Sequence, residues 1–307
     1  MNRIGLDVGG TKIELVALDP AGKELLRRRE PTPHGGYAVA LAMLVRMVLD
    51  AEAQLGARCS VGVGMPGTLI PSSGRLTNAY STPYNEQPLK PDLEAALGRE
   101  VRIANDANCF ALSEAYDGAA RGAAVAFGVI IGTGVGGGIV VNGMALAGAN
   151  GLTGEWGHNP LPWSRALEHP GPACYCGRNG CIERFLSGPA LSDDYQRVSG
   201  IRLEAEDIIA AAGRGDAACE EALQRYESRM ARALASVINF LDPEVIVLGG
   251  GLSNMERLYQ SVPRLWRAFI YGRDTHTLLV KAAHGDSSGV LGAAHLWPAL
   301  RGGQARG

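Results

Sequence analysis

A surplus of either charge is missing: 29 Lys and Arg face 31 Asp and Glu, a net charge of -2 over 307 residues. With no basic excess to neutralise a phosphate backbone, nucleic acid is a poor first partner. Disorder is excluded as the main state, because 46% of the residues are hydrophobic and 20% charged. No GxxxxGK[ST] motif is present, and no GxGxxG lies between a strand and a helix, so neither a P-loop nor a Rossmann fingerprint is available. The N-terminal residues carry no apolar targeting core before Asp7, and the expected compartment is the cytoplasm. No Pro- or Ser-rich linker divides the chain, although its length predicts two domains.

An uninterrupted membrane-spanning run is also lacking. The 33 residues between Arg121 and Glu155 are uncharged, long enough to cross a bilayer, but their centre is Gly132-Thr133-Gly134-Val135-Gly136-Gly137-Gly138. Glycines at that density predict two short buried strands, Val125 to Ile131 and Ile139 to Val141, rather than a helix.

What the sequence has in abundance is glycine, 42 residues, placed mostly where strands end. The first segment alternates from Ile4 to Val8, turns at Gly9-Gly10-Thr11-Lys12 and returns through Ile13 to Leu18 as a hairpin. The pattern recurs about 125 residues later around Gly132-Thr133-Gly134, which predicts an internal duplication of one α/β unit. A third turn, Gly249-Gly250-Gly251, follows the strand Val245 to Leu248 and precedes an amphipathic segment from Met255 to Ile270. Helices are predicted over Ala38 to Leu55, Ala107 to Tyr116 and Ala217 to Phe240. A last one is expected after Asp286-Ser287-Ser288 through Leu296, with Pro298 as terminator. Such turns either present backbone N–H groups to phosphates or supply the positive φ that a tight hairpin needs. Three of them together, with Thr11, Lys12 and Thr133, favour nucleotide binding.

The acids offer paired readings. Asp106 stands between a short strand, Val101 to Ala104, and a helix, where it can cap the helix or serve as general base for phosphoryl transfer. Asp7, just before the first turn, can orient hydrated magnesium or satisfy turn amides. Glu155 can accept from sugar hydroxyls. Of the six cysteines, Cys59, Cys109 and Cys219 are dispersed. Cys174, Cys176 and Cys181 are clustered and read better as metal ligands than as a disulfide framework. His158 either completes a four-ligand structural zinc site or is an ordinary surface histidine.

These residues resemble the ROK family of bacterial sugar kinases and repressors, within the actin-like ATPase superfamily. The likeness runs from Asp7 to about Trp297. It is carried by Asp7-Val-Gly-Gly-Thr-Lys12, Gly64-Met-Pro-Gly67, Asn105-Asp106, Gly132-Thr-Gly134, Glu155-Trp-Gly-His158 and Cys174-x-Cys176-Gly-x-x-Gly-Cys181-x-Glu183. The resemblance implies an α/β fold of two actin-like (ribonuclease H-like) domains around a nucleotide- and sugar-binding cleft. Residues 1–118 would form the first domain, joined by a C-terminal helix at about 287–307, and residues 119–286 the second, with a zinc-binding loop; the hinge is expected near Gly118 to Gly122.

It also implies ATP with Mg²⁺ on Asp7, Gly9, Gly10, Thr11, Lys12, Gly132, Thr133, Gly134 and Gly249 to Gly251. Asp106 would be the base. Gly67, Asn105, Glu155, His158 and Glu183 would join it at the sugar, Zn²⁺ would sit on His158, Cys174, Cys176 and Cys181, and the chain would be a homodimer. The stretches Asn78 to Thr82, Gly157 to Trp163 and His284 to Gly289 look most like fructokinases of the mannofructokinase type. That implies ATP-dependent formation of D-fructose 6-phosphate, with mannose a second acceptor and glucokinase or N-acetylhexosamine kinase the alternatives. A ROK-type repressor is disfavoured because only Met1-Asn2-Arg3 precede the first strand, leaving no room for a helix-turn-helix. A catalytically dead sugar-binding protein is disfavoured by Asp106 and the three turns.

Overall fold

The computed structural model describes residues 1–79, 82–272 and 274–297. Pro298, expected to end the last helix, and Tyr80 and Ser81 of the fructokinase-like stretch lie outside the described residues, as does the side chain of Asp286.

In chain order the first half contains β1 (Arg3–Val8), β2 (Lys12–Leu18), β3 (Glu24–Pro31), α1 (Tyr37–Leu55), β4 (Ser60–Met65), α2 (Leu89–Leu97), β5 (Val101–Asn105) and α3 (Asp106–Tyr116). The second contains β6 (Val125–Ile131), β7 (Val135–Val141), β8 (Met144–Ala145), α4 (Glu183–Leu186), α5 (Gly188–Ser199), α6 (Ala205–Gly213), α7 (Ala217–Leu241), β9 (Val245–Gly249), α8 (Leu258–Trp266), β10 (Leu278–Lys281) and α9 (Ser288–His295). The five-stranded sheets run 3-2-1-4-5 and 8-7-6-9-10. In each, the first three strands pair antiparallel and the last two join in parallel. The repeated hairpin of the sequence is therefore one part of a repeated sheet.

The central strands β1 and β4 are buried almost throughout. That is the burial expected of strands covered on both faces, and it explains why they read as continuous apolar runs. Ile4, Leu6, Val61 and Val63 share a core with Leu44, Met47 and Val48 of α1 and Leu93 of α2. A larger core joins Phe127, Val129, Ile246 and Leu248 to α4–α8, including Tyr226, Met230 and Leu234 of α7. The helix α7 starts at the N-cap Asp216, whose carboxylate accepts from the Cys219 amide, and stops at Asp242 before Pro243.

Two helices cover the sheet opposite to the one they leave. The helix α3 follows β5 but packs mainly on β6 and β7, while α9 follows β10 but packs on β1, β2 and β4; the two also pack on each other. Small residues permit this: a Cβ on Gly292 of α9 would stand 1.7 Å from the Cys109 carbonyl of α3, and one on Gly138 of β7 would stand 2.4 Å from the Ala107 carbonyl. Here the expected strand boundary changes. The run Gly136-Gly137-Gly138 belongs to β7, because a helix and a tryptophan lie where its side chains would be. The amphipathic segment expected over Met255 to Ile270 is helical only as α8. Among the described residues no helix is long and apolar enough to cross a membrane.

Candidate active site and metal centre

A cleft of about 1360 Å³ lies between the two sheets and draws its walls from both halves. The first half contributes Gly67, Asn105 and Asp106; the second contributes Gly132, Thr133, Gly134, Glu155, His158, Cys176 and Glu183. Thus the central acid, one glycine tip and the acids read as sugar contacts share one cavity. Asp7, Gly9 to Lys12, Gly249 to Gly251, Cys174 and Cys181 do not line it.

Asp106 is the first residue of α3. The capping role weighed for it belongs instead to Asn105, which has extended backbone geometry and whose Oδ1 accepts from the Ala107 amide at 2.8 Å. The Asn105 Nδ2 group donates to the Gly67 carbonyl at 3.1 Å, tying the end of β5 to the turn after β4. Gly67 is needed there because its φ is +94° and a Cβ would meet the Thr77 carbonyl at 2.4 Å. Asp106 lines the cleft, and its Oδ1 also accepts from the Ala107 amide at 2.8 Å. Burial pushes its carboxyl pKa up, against the lowering effect of that amide and of Asn105. Asp7 is pushed to about 6, first by burial and then by the charges of Asp106 and Glu14. Its carboxylate lies against α9, where a Cβ on Gly289 would stand 3.1 Å from Oδ2.

The two hairpin tips each bridge their strands with three residues. Neither uses a glycine of positive φ, so the conformational explanation for Gly9, Gly10, Gly132 and Gly134 fails. A Cβ on Gly132 would meet nothing within 4 Å, which leaves its surface open to a ligand. The first tip is closed by the Gly9 amide on the Lys12 carbonyl at 2.9 Å, and the Thr32 hydroxyl donates to the Gly9 carbonyl at 2.7 Å. The third turn differs. Gly249 presses on the Phe110 ring and Gly250, at φ +82°, on the Ile131 carbonyl; packing accounts for both, and only Gly251 has open space.

Glu155 and His158 bound one 3-10 turn. Trp156 fastens it by donating to the Gly136 carbonyl at 3.1 Å and meeting Phe127 edge to face. Burial raises the Glu155 pKa, His158 opposes the shift, and Asp106 and Glu183 add to it. Glu183 begins α4, and its Oε2 accepts from the Val135 amide at 3.0 Å, directly behind Gly134.

The candidate zinc ligands converge. His158 Nδ1 is 3.6 Å from Cys174 Sγ, Cys176 Sγ is 3.6 Å from Cys181 Sγ, and all four ligand atoms lie within 4.8 Å of one another. A tetrahedron with Zn–S bonds of about 2.3 Å has S···S edges of roughly 3.8 Å, so the donor set and spacing fit zinc. The other imidazole nitrogen, Nε2, sits 2.9 Å from the Tyr175 hydroxyl. Behind the loop, Glu168 pairs with Arg229 and Arg232. Arg232 also donates to the Trp163 carbonyl at 2.8 Å, which binds the segment to α7.

Sequence reasoning passed over several residues of the cleft wall. The sequence marks Tyr175 and Arg178 only as spacers between candidate ligands and Ser236, Val237 and Phe240 only as helix, and it gives Leu241 no role. Phe240 did carry a signal: it falls off the i, i+4 apolar stripe of α7 and is 92% exposed.

Comparison with known proteins places this geometry. The N-acetyl-D-glucosamine kinase of Pectobacterium atrosepticum is 41% identical over 297 residues, covering 95% of this chain and 97% of that one. The ROK hexokinase of Thermus thermophilus superposes with a TM-score of 0.86 at 33% identity, covering 96% and 97% of the two chains. A ROK family glucokinase from Streptomyces griseus, solved with glucose and AMPPNP, gives 0.75 at 27% identity over 96% and 99%. These neighbours share the actin-like α/β architecture. The ROK family profile itself matches residues 3–299, which include both sheets and the cysteine loop, and the chain belongs to the ROK family.

Proposed function

We propose that this protein is an ATP-dependent sugar kinase whose acceptor is N-acetyl-D-glucosamine. The observation that carries the kinase reading is Asp106, at the start of a helix whose N-cap is Asn105, in one cavity with an open glycine tip and with Glu155 and Glu183. In the proposed reaction the sugar hydroxyl oxygen attacks the γ-phosphorus, the bond to the β–γ bridging oxygen breaks, and ADP leaves. Asp106 takes the hydroxyl proton. A carboxylate whose pKa is raised by burial is a stronger base than an exposed one, provided it stays ionised at the working pH. The tip at Gly132 to Gly134 offers amides to phosphate oxygens, and the exposed tip at Gly9 to Lys12 is the proposed counterpart from the first half. The neighbouring carboxylates of Asp7 and Asp106 suit a hard divalent ion, and bound Mg²⁺ would supply neutralising charge for the phosphates.

The choice of sugar corrects the expectation from the sequence. The sequence favours fructose on three stretches, of which, among the described residues, only Asn78 and residues of the 157–163 segment touch the cleft. The relative that is 41% identical is an N-acetyl-D-glucosamine kinase, which supports the alternative over the fructokinase reading. Phosphorylation of N-acetylglucosamine, glucose, mannose and fructose by ATP, measured side by side, tests this; a kcat/KM highest for N-acetylglucosamine is expected. A tenfold preference for fructose would restore the earlier reading, and no phosphorylation of any hexose would sink the kinase reading.

Structural zinc on His158, Cys174, Cys176 and Cys181, a domain boundary near residue 118 and a homodimer complete the proposal. Elemental analysis, limited proteolysis and light scattering test these three points.

A further inference from the structure

His158 links the cysteine cluster to the cleft through its two nitrogens. Nδ1 faces Cys174 Sγ and Nε2 faces the Tyr175 hydroxyl. An imidazole that gives Nδ1 to a metal keeps its proton on Nε2. With a metal on Nδ1, Nε2–H would donate and the phenol oxygen would accept. The phenol proton is left for another partner.

Tyr175 is held in this position. It lies between two candidate ligands, in a loop closed by the Cys174 amide on the Arg178 carbonyl at 2.8 Å and the Gly177 amide on the Cys174 carbonyl at 3.0 Å. Its ring meets the imidazole edge to face with centroids 5.0 Å apart. Although 72% of the residue is exposed, it lines the same cleft as Asp106, Glu155 and Glu183.

Asp106, Glu155 and Glu183 in that cleft are carboxylates, which when ionised only accept hydrogen bonds. They suit sugar hydroxyls, which donate. N-acetylglucosamine differs from glucose in one oxygen that only accepts, the acetamido carbonyl. We propose that the Tyr175 hydroxyl, oriented by His158, donates to this carbonyl oxygen and makes Tyr175 a specificity-determining residue for the N-acetyl group. The inference rests on the N-acetylglucosamine reading above.

Tyr175→Phe keeps the ring and removes the donor. Titration calorimetry without nucleotide, on metal-replete protein, should find N-acetylglucosamine bound about tenfold more weakly by the variant, the size of one lost hydrogen bond. Glucose affinity should stay within about twofold, and the metal content by elemental analysis should be unchanged. Equal weakening for both sugars, undiminished N-acetylglucosamine affinity, or a fall in metal content would each overturn the assignment to Tyr175. A wild-type protein that binds N-acetylglucosamine no more tightly than glucose would overturn the substrate reading and this inference with it. Wild-type preference that survives in Tyr175→Phe would overturn only this inference.

Discussion

Asp106 and Asp7 are two acids in one electrostatic neighbourhood, each made more reluctant to ionise by burial, and Asp7 also by the charge of Asp106. Because Asn105 carries the cap of α3, Asp106→Asn should leave the helix in place while removing the base. The expected loss in kcat is on the order of 10²–10⁴ with sugar affinity little changed; turnover near wild type would reduce Asp106 to a structural role. In the wild type, kcat/KM should fall as pH drops through the raised Asp106 pKa, so the acid limb should sit above the ordinary carboxylate range.

Asp7 makes a different demand. Its folded pKa of about 6 lies above the ordinary 3.8, so the folded state holds the proton more tightly than the unfolded one. Its contribution to stability is full below pH 3.8 and is lost as pH rises through about 6. At neutral pH the ionised group costs on the order of 2–3 kcal/mol. Asp7→Asn should therefore raise the melting temperature near pH 7.5 by several degrees, lower kinase activity, and confer little gain near pH 4. Thermal melts at both pH values decide it; a less stable variant near pH 7.5 would mean that Lys12 and Arg29, which oppose the shift, outweigh burial.

At the scale of elements, glycine carries three distinct meanings. At Gly132 it leaves open surface, at Gly250 it permits a left-handed turn, and at Gly138 it makes room for a helix. The sequence alone showed strand, turn and strand, because apolar alternation and glycine punctuation are local. It did not separate these meanings, since each depends on what lies opposite the missing Cβ. For the same reason the three-glycine run in β7 was read as a break. The convergence of Cys174, Cys176 and Cys181 was legible because the three are close in sequence, and that of His158 with them follows the candidate ligand set. Tyr175 was not, because facing a cleft leaves little trace in local spacing, and Phe240 was marked only by falling off the apolar stripe of α7.

The metal loop should also be an element whose loss is felt at the sugar. Glu183 follows Cys181 by two residues and reaches the Val135 amide behind the glycine tip. Cys181→Ser should lower the metal content and weaken sugar binding together, as read by elemental analysis and calorimetry. Full sugar affinity in metal-free protein would separate the two.

Across the whole molecule, the repeated sheet order makes the halves equivalent in plan, and the exchange of α3 and α9 makes them dependent on each other. The connection is reinforced at Glu114, a fully buried residue of α3. Its carboxylate accepts from the amides of Ala119, Ala283 and His284 and from the Ser288 hydroxyl. One side chain thus fastens both places where the chain passes between sheets. Neither helix can leave its place without uncovering a sheet.

A chain cut between residues 118 and 119 would therefore give two pieces that each carry the other's missing cover. Residues 1–118 alone would display the apolar face of α3 and leave β1 and β4 without α9; residues 119–307 would have the reciprocal defect. Expressed separately, both pieces should aggregate or remain poorly folded, and expressed together they should copurify and recover activity. Folding of either piece alone would contradict the mutual dependence. In assembly terms the protein is an intramolecular swapped dimer, with two like units that trade one helix apiece. The cleft is the seam between them, so the integrity of that trade is a condition for having an active site at all.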